Sequence, residues 1–388
     1  LFAFAAYIAS LRGWGRGLVR AVADWYVTKD DRDLIYQALK YQQRNGWSHA
    51  DLLRLAHPKS GDDVRNAIYR WIVDGEYPEG RDDQIAALIA LRSAANETAA
   101  AKLIAGSRLP REAVPTEWLK SPLVWAALLD DMPMTAMIRN LGTMSKIGLL
   151  TSGSEAEKHV LAEIGNADRI KRSRLHPMAI LLAQLTYAQG HGHRSTETWT
   201  PTRRVVDALD AAFYTAFGNV EPTNKRILMA VDSSGSMTHA QIANSPLTAR
   251  QASVAMALMT LAVEPNAEVI AFDTSVSTPT LSHRQRLDDA MRAFGHGGGT
   301  DLSLPWAYAI QSKREFDALV VYTDSEDGRG RIGPVRHQYR SRYPDYREVV
   351  VAAAVNEYSA VDGSLAMNVA GFDASAPGVI SQFLNGSV

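Results

Sequence analysis

An aspartate, three serines and a glycine follow an apolar run in the stretch RILMAVDSSGSMTHA, residues 226–240. The apolar residues 227–231 are continuous, which is typical of a parallel strand covered on both faces. Asp232, Ser234 and Ser236 come directly after it, at the end of a strand where α/β sheets bind ligands. One carboxylate and two hydroxyls are hard donors, which suit Mg²⁺ or another hard divalent cation better than zinc. The alternative is an ordinary Ser/Gly turn capped by the aspartate.

Two later stretches supply further oxygen donors. A glycine-rich loop, GHGGGTDLSLP at residues 295–305, carries Thr300 and Asp301. Its glycines allow close backbone approach and positive φ. A second apolar run, DALVVYTDSED, ends at Thr323 and Asp324. The loop could instead cradle a phosphate, but no lysine follows it as in a P-loop, so we favour a metal site.

The order of these donors resembles the metal-ion-dependent adhesion site of von Willebrand factor A (vWA) domains. Asp-x-Ser-x-Ser, a threonine in a glycine-rich loop and an aspartate after a later strand all match, and the resemblance covers residues 223–388. It implies a divalent cation as cofactor, in the first place Mg²⁺. The ligands that it implies are Asp232, Ser234, Ser236 and Thr300, with Asp324 binding directly or through water.

A basic stretch in the first half of the chain suggests a second chemistry. ALKYQQRNGWSHADLLRLAHPKS, residues 38–60, interleaves cations with aromatic residues. Lys40 and Arg44 are four apart, so on one helix they would share a face. Such a basic face can contact a phosphate backbone, and histidine can stack on a base. The alternative is a solvated helix face with aromatic residues in the core. The basic residues are Lys40, Arg44, His49, Arg54, His57 and Lys59.

The elements that must position these groups differ between the two halves. Residues 1–222 show apolar positions three and four apart in one segment after another, which predicts successive helical hairpins, as in an α-solenoid. Residues 223–388 alternate between strand and helix patterns, which predicts a parallel α/β sheet. The predicted strands are 227–231, 268–272, 318–322 and 348–355. The predicted helices between them are 249–263, 287–294 and 304–314.

The helical half resembles the TROVE module of the Ro autoantigen family. The resemblance rests on the basic stretch and on GWGRGLVRAVADWY, DMPMTAMIRNLGTM and LHPMAILLAQLTYAQGHG, in this order before the vWA-like half. It implies a closed ring of HEAT-like repeats whose ends a Rossmann-like vWA domain joins. It also implies small noncoding Y RNAs on the outer surface and single-stranded ends of misfolded RNAs in the ring hole.

Residue by residue, the family's Y RNA contacts fall on Lys40, Arg44 and His57. Gln42 stands where some relatives carry a basic residue, which implies a weaker patch. His49 and Lys59 belong to the same predicted RNA-binding set. The resemblance further implies a monomeric ring, and a 3′-exonuclease such as polynucleotide phosphorylase as a partner tethered through RNA.

Other basic sites leave two interpretations open. Arg139, in MIRNLG, could face RNA in the hole or only take part in helix packing. RIKRSRLH, residues 169–176, could line the hole or be a solvated helix start. His191 and His193 are two apart, but a zinc pair would lack further ligands nearby, so a loop is the preferred interpretation.

Composition sets the remaining limits. The 388 residues have a net charge of −1, so RNA binding would need a local patch rather than a basic body. The absence of cysteine excludes disulfides and thiolate metal sites and agrees with the cytoplasmic location that we expect. No apolar run is long enough for a bilayer, and no signal peptide is evident. The start at Leu1, in mid-pattern, suggests that an N-terminal part of the family's chain is missing.

Three functions compete at this stage. The first is an RNA-binding ring for noncoding-RNA quality control, with no catalytic step of its own. The second is a metal-dependent protein-adhesion module, in which a partner's acidic side chain completes the coordination in the vWA-like half. The third is a hydrolytic metal site built from Asp232, Asp301 and Asp324, with His296 as the single candidate base. We expect the first function and therefore no enzyme activity.

Overall fold

The architecture was analysed in a computed structural model. It describes residues 1–81, 83–193, 196–242, 245–282, 284–295, 297–324, 332–352, 361, 363–371 and 376–387. His296, the candidate base, lies outside these residues. Contacts between residues divide the chain into two compact units. Unit 1 comprises Leu1–Met137 and Thr143–Ala156, and unit 2 comprises Ile138–Gly142 and Glu157–Val388. The domain boundary at residue 222 stays a prediction from the change of pattern.

Unit 1 is built from short helices, and polar side chains fix where they begin. Asp30, Ser48, Asp62, Asp83 and Asn96 each accept a backbone N–H from the first turn that follows. Such a cap contributes about 1 kcal/mol. The helices are α1 (Phe2–Arg12), α2 (Arg16–Thr28), α3 (Asp31–Lys40), α4 (His49–Ala56), α5 (Asp63–Asp74), α6 (Gln84–Arg92), α7 (Glu97–Ser107), α8 (Pro122–Leu129) and α9 (Met134–Lys146), whose middle residues Ile138–Gly142 belong to unit 2.

A small hairpin interrupts this series between α3 and α4. Strand β1 (Gln43–Arg44) pairs antiparallel with β2 (Trp47–Ser48). Asn45 and Gly46 form the turn with φ of 54° and 78°, as a two-residue hairpin loop requires. The prediction that Lys40 and Arg44 share one helix is therefore wrong. Asn-Gly is a strong hairpin turn, and here it outweighs the helical spacing of the cations.

Unit 2 begins with helices and continues with an α/β domain. Its first helices are α10 (Glu155–Ile164), α11 (Ala167–Ser173), α12 (Pro177–Ala188) and α13 (Arg203–Thr215). The strands that follow are β3 (Ile227–Asp232), β4 (Ala267–Phe272), β5 (Val276–Ser277), β6 (Ala318–Thr323), β7 (Arg347–Ala352) and β8 (Ala366–Ala370). The helices among them are α14 (Ala249–Val263), α15 (Leu287–Ala293), α16 (Leu304–Gln311), α17 (Ile332–Arg342) and α18 (Ala376–Leu384).

The sheet has the strand order β5-β4-β3-β6-β7-β8. All neighbours pair in parallel except β4 and β5. Every residue of β3 and β6 is buried, as the continuous apolar runs predicted. The four predicted strands are confirmed within a residue or two, although residues 353–355 of the last lie outside the described residues. The predicted fold class, helices followed by a mostly parallel sheet, is confirmed.

Trp306 lies at the centre of the core on one face of this sheet. Its indole is fully buried among side chains from β3, β4 and β6, together with α17. Among the residues that the structure describes, no helix is both long and apolar enough to cross a membrane.

Two helical glycines differ in the space around them, which gives a test of the packing in unit 2. A Cβ on Gly142 in α9 would lie 2.9 Å from ring atoms of Trp199, whereas one on Gly106 in α7 would meet no atom within 4 Å. We expect Gly142→Ala to lower the free energy of unfolding by about 1–3 kcal/mol through overpacking. Gly106→Ala should raise it by about 0.5–1 kcal/mol. Urea unfolding measures both, and effects of the same sign would contradict the packing of Trp199 on α9.

Candidate functional site

The predicted metal ligands gather where the order of the strands reverses. From β3 the chain continues to β4 on one side, while β6 lies on the other side. Such a reversal opens a crevice beyond the carboxyl ends of the strands. Val231 pairs with Tyr322, so Asp232 and Thr323 end the two strands side by side. We call the set Asp232, Ser234, Ser236, Thr300 and Asp324 the oxygen cup.

Asp232 is fully buried at the base of the oxygen cup. The backbone N–H of Ser234 donates to its Oδ1 over 2.8 Å, and the Thr323 hydroxyl donates to its Oδ2 over 2.8 Å. The hydroxyl oxygens of Ser234 and Ser236 lie 3.1 Å apart. The strand end and the short 3₁₀ helix Gly235–Thr238 thus bring one carboxylate and two hydroxyls together, as the Asp-x-Ser-x-Ser spacing predicted.

The glycine-rich loop is fastened against this strand end at two points. The N–H of Gly297 donates to the carbonyl of Ser233 over 3.1 Å, and the N–H of Asp301 donates to the carbonyl of Asp273 over 2.8 Å. Thr300 lies between these points. A Cβ on Gly297 would lie only 1.8 Å from the Asp273 carboxylate, so a larger residue would force the Asp273 side chain to move. Close approach is therefore confirmed, and the described glycines of this loop do not use the positive φ that glycine allows.

Electrostatics at Asp232 favour a cation. Burial raises the pKa of Asp232 above its ordinary value, and the nearby Asp324 carboxylate raises it further, against hydrogen bonds from Ser234 and Thr323. Within the described part of the chain, no lysine or arginine forms an ion pair with Asp232. A buried carboxylate needs a compensating charge, and each of its oxygens has a second lone pair. The donor set therefore fits a hard divalent cation.

Asp301 has a different role from the oxygen cup. Its Oδ1 accepts the Ser303 hydroxyl over 2.6 Å and the Ser303 N–H over 3.1 Å, at the start of α16. Across the described residues, no three carboxylate or imidazole groups come together as a metal site. The hydrolytic arrangement of Asp232, Asp301 and Asp324 is therefore not formed there. Sequence reasoning missed the contact of Thr323 with Asp232, although its place directly before Asp324 in an adjacent strand could have indicated it.

Two cations of the basic stretch, Lys40 and Arg44, lie beside the same aromatic ring. The hairpin that brings them together was not predicted from the sequence. Tyr41 follows the last residue of α3, and Arg44 lies in the hairpin. Lys40 Nζ lies 5.5 Å and Arg44 Cζ 4.9 Å from the centre of the Tyr41 ring. Lys40 also donates to the Tyr36 hydroxyl over 3.2 Å. Partial burial acts to lower the pKa of Lys40, but Tyr36, Tyr41 and Glu112 outweigh it, so the pKa rises.

His57 and Lys59 are the next exposed cationic candidates along the chain, after α4. His57 ends α4 in the left-handed conformation, φ 43°, and its side chain is exposed, as is that of Lys59. The eight residues of α4 place His57 about 12 Å along the helix axis from the hairpin. Arg54 is partly engaged in a contact within unit 1, because its guanidinium donates to the carbonyl of Val73 over 3.0 Å. We call Lys40, Arg44, His57 and Lys59 the cationic strip.

His49 does not belong to this surface. It is only 4% exposed, packs between the rings of Phe2 and Trp25, and shares a hydrogen bond of 2.6 Å with the Tyr26 hydroxyl. Burial lowers its pKa to about 4. The structure thus contradicts the predicted RNA contact of His49, because the first residue of α4 faces the core of unit 1.

Arg139 lies in unit 2 with an exposed side chain on α9, so it stays available as a contact. In the 169–176 stretch, Arg169 pairs with Glu163, and His176 caps α12 by accepting the N–H of Met178 over 3.2 Å. His191 lies in an isolated bridge to Thr198.

The buried state of His49 predicts a dependence of stability on acid. Its pKa of about 4 in the folded chain lies below the value near 6.5 of an unfolded histidine. Between pH 6.5 and 4 the unfolded chain binds more protons at His49 than the folded chain does. The free energy of unfolding therefore decreases as the pH falls, by at most about 1.4 kcal/mol per pH unit. His49→Gln should flatten the fall in unfolding free energy between pH 6.5 and 4 by this amount. His57→Gln is the exposed control, and an unchanged slope for His49→Gln would contradict burial.

Comparison with known proteins matches both units. Residues 226–384 match the Ro60 vWA domain, and residues 1–79 and 101–186 match the TROVE domain. The RNA-binding protein RO60 of Deinococcus radiodurans is 39% identical over 402 residues, covering 100% of this chain and 75% of the relative. That of Caenorhabditis elegans is 33% identical over 436 residues, covering 98% and 67%.

Structure comparison agrees with the sequence comparison. The crystal structure of the Deinococcus radiodurans RO (RSR) protein superposes with a TM-score of 0.86 at 39% identity, covering 99% of this chain and 80% of that one. The resemblances to the TROVE module and to vWA domains are thereby confirmed. This chain belongs to the Ro60 family.

Proposed function

We propose that this chain is an RNA-binding protein whose cationic strip contacts RNA phosphates. The observation that carries the proposal is the pair of cations held over Tyr41 in a chain from the Ro60 family. Lys40 ends α3, and Arg44 lies on the exposed hairpin. Phosphate contacts supply most of the affinity in nucleic-acid binding and act without sequence preference. Stacking on Tyr41 restricts both side chains, so they lose less entropy when a phosphate binds.

The cationic strip predicts a loss of both affinity and salt dependence on mutation. Lys40→Ala/Arg44→Ala should weaken the binding of a structured RNA with a single-stranded 3′ tail, because two phosphate contacts disappear. The slope of log K against log salt should fall by about 1–2. Fluorescence anisotropy at several salt concentrations measures both quantities, and His57→Ala is measured beside it.

The control removes the same charges elsewhere on unit 1. Lys120→Ala/Arg92→Ala changes an exposed lysine and an exposed arginine outside the cationic strip. Equal losses in the two double variants would mean that only net charge matters. RNA binding by wild type that is unchanged in Lys40→Ala/Arg44→Ala would refute the cationic strip.

We also propose the finer assignments that the family resemblance implies. Y-type noncoding RNA would bind the outer surface at Lys40, Arg44 and His57, and single-stranded ends of misfolded RNA would enter the ring hole. A 3′-exonuclease such as polynucleotide phosphorylase would be tethered through RNA, to a monomeric cytoplasmic protein that carries out no catalytic step. Family membership supports these assignments, and the exposed Arg139 is the candidate contact from unit 2.

For the oxygen cup we propose a bound Mg²⁺. It would be held by Asp232, Ser234, Ser236 and Thr300, with Asp324 binding directly or through water. When bound, the cation would supply the positive charge that two neighbouring carboxylates lack. The protein-adhesion alternative needs an exposed metal with an open position, and no observation favours it over RNA binding.

Magnesium should therefore stabilise the folded chain. At roughly 100 times Kd the expected gain is about 2.7 kcal/mol. Thermal unfolding with and without millimolar MgCl₂ measures it, and isothermal calorimetry measures the binding itself. Asp232→Asn and Ser236→Ala should lose most of the gain, because each removes a ligand.

Asp273→Asn is the matched control, since Asp273 directly follows β4, its carboxylate accepts from Ser275, and it is not part of the oxygen cup. Equal loss in Asp273→Asn and Asp232→Asn would argue for a general charge effect. No magnesium response in wild type would leave the oxygen cup as a purely structural turn and refute this proposal.

A further inference from the structure

A notch opens beside Lys40 of the cationic strip, entirely within unit 1. Its volume is about 240 Å³, and it lies between α3, the end of α7 and the turn that joins α8 to α9. Arg32, Tyr36, Lys40, Gln84, Arg108 and Arg111 line it. Pockets for drug-sized ligands measure roughly 300–1,000 Å³, so this notch suits a smaller flat group.

Charges in the notch favour an anionic or polar ligand. Four cations line it against the three carboxylates of Asp33, Glu112 and Asp131. Arg108 pairs with Asp131 over 3.0 Å. Arg32 is exposed and forms no ion pair with any described carboxylate. Positive charge at the rim is therefore left over for a phosphate.

Two side chains of the wall carry polar atoms without a partner. Gln84 is 8% exposed, and its Nε2 donates to the carbonyls of Ser107 and Arg108 over 3.0 Å each. Its Oε1 accepts from no group in the described residues. Arg111 lies over the ring of Trp125, and its Nε likewise has no acceptor within the part of the chain that the structure describes.

Both atoms are buried beneath the lining, so a ligand that offers a donor and an acceptor satisfies them once the side chains of Gln84 and Arg111 turn toward the notch. Buried polar groups without partners are unfavourable, so a ligand that satisfies them gains affinity. The edge of a nucleobase presents donors and acceptors side by side, and unpaired RNA bases are recognised in this way. Tyr36 adds an aromatic ring on which a base can stack.

Lys40 belongs to the notch and to the cationic strip alike. An RNA whose phosphate contacts Lys40 therefore has its adjacent nucleotide at the entrance of the notch. We propose that the notch binds one unpaired base of the RNA that lies on the cationic strip. The inference rests on the proposed RNA binding and adds a site that reads a base rather than a phosphate.

Removal of single bases from the RNA tests this site. Replacing each unpaired nucleotide in turn by an abasic one keeps the phosphates and deletes the base. With wild type, one position should lose at least about fivefold in affinity, the lower end of what one stacked base contributes. With a blocked notch, the same abasic RNA should bind no worse than the intact RNA.

Ala127→Leu blocks the notch without a change of charge, because Ala127 lines it from α8. Ala126→Leu adds the same side chain one residue earlier, outside the notch, and is the control. Arg32→Gln, with Arg92→Gln as its exposed control, repeats the test at a position that tolerates substitution. Circular dichroism verifies that each variant is folded.

The outcomes separate the two proposals. If wild type does not bind RNA at all, the proposed function fails. If wild type binds, the cationic strip matters and no abasic position couples to Ala127→Leu or Arg32→Gln, only the notch is refuted. A free nucleoside monophosphate that occupies the notch while every abasic RNA binds normally would also overturn it, since the site would then serve small nucleotides.

Discussion

The parallel pairing of β3 with β6 is the constraint on which the α/β part of unit 2 depends. It sets Asp232 beside Thr323 and places Asp324 one residue beyond, so one register fixes three oxygen-bearing groups. A slip by one residue would turn every side chain of β6 to the opposite face. Both strands are buried on both faces, so such a slip would set close-packed side chains against neighbours of the wrong shape. The register that packs the sheet is thus also the register that positions the side chains of the oxygen cup.

In unit 1, the main constraint is on cations at the surface, which are held in a defined arrangement. Long basic side chains on a helix sample many rotamers in solvent, so their charges have no fixed position. Here the chain leaves the helix after Lys40, and the hairpin returns Arg44 to the ring of Tyr41. On the second strand of the hairpin, Trp47 stacks on Trp14 with the ring centres 5.1 Å apart. Two aromatic contacts therefore hold a very short hairpin in place.

Sequence patterns predicted the fold class, the central strands and the Asp-x-Ser-x-Ser turn, because buried strands and capped turns leave local traces. They did not predict β8 or α18, whose patterns are weak. His49 and His57 illustrate the limit within eight residues. Both are histidines in a basic context, yet one starts α4 on its buried side and the other ends it in solvent. The orientation of α4 determines which of the two histidines is buried, and that orientation depends on contacts of α4 with α2 and of His49 with Phe2.

Helix ends in this chain differ in a way that bears on adaptation to temperature. Gly75 ends α5 in the left-handed conformation, where glycine avoids steric conflict, but His57, Arg108 and Arg174 adopt the same conformation at the ends of α4, α7 and α11. A residue with a Cβ is disfavoured there by roughly 1–2 kcal/mol. Selection for heat resistance alone would favour glycine at all three positions and would remove three basic side chains. Heat resistance and surface charge are thus opposed at these helix ends.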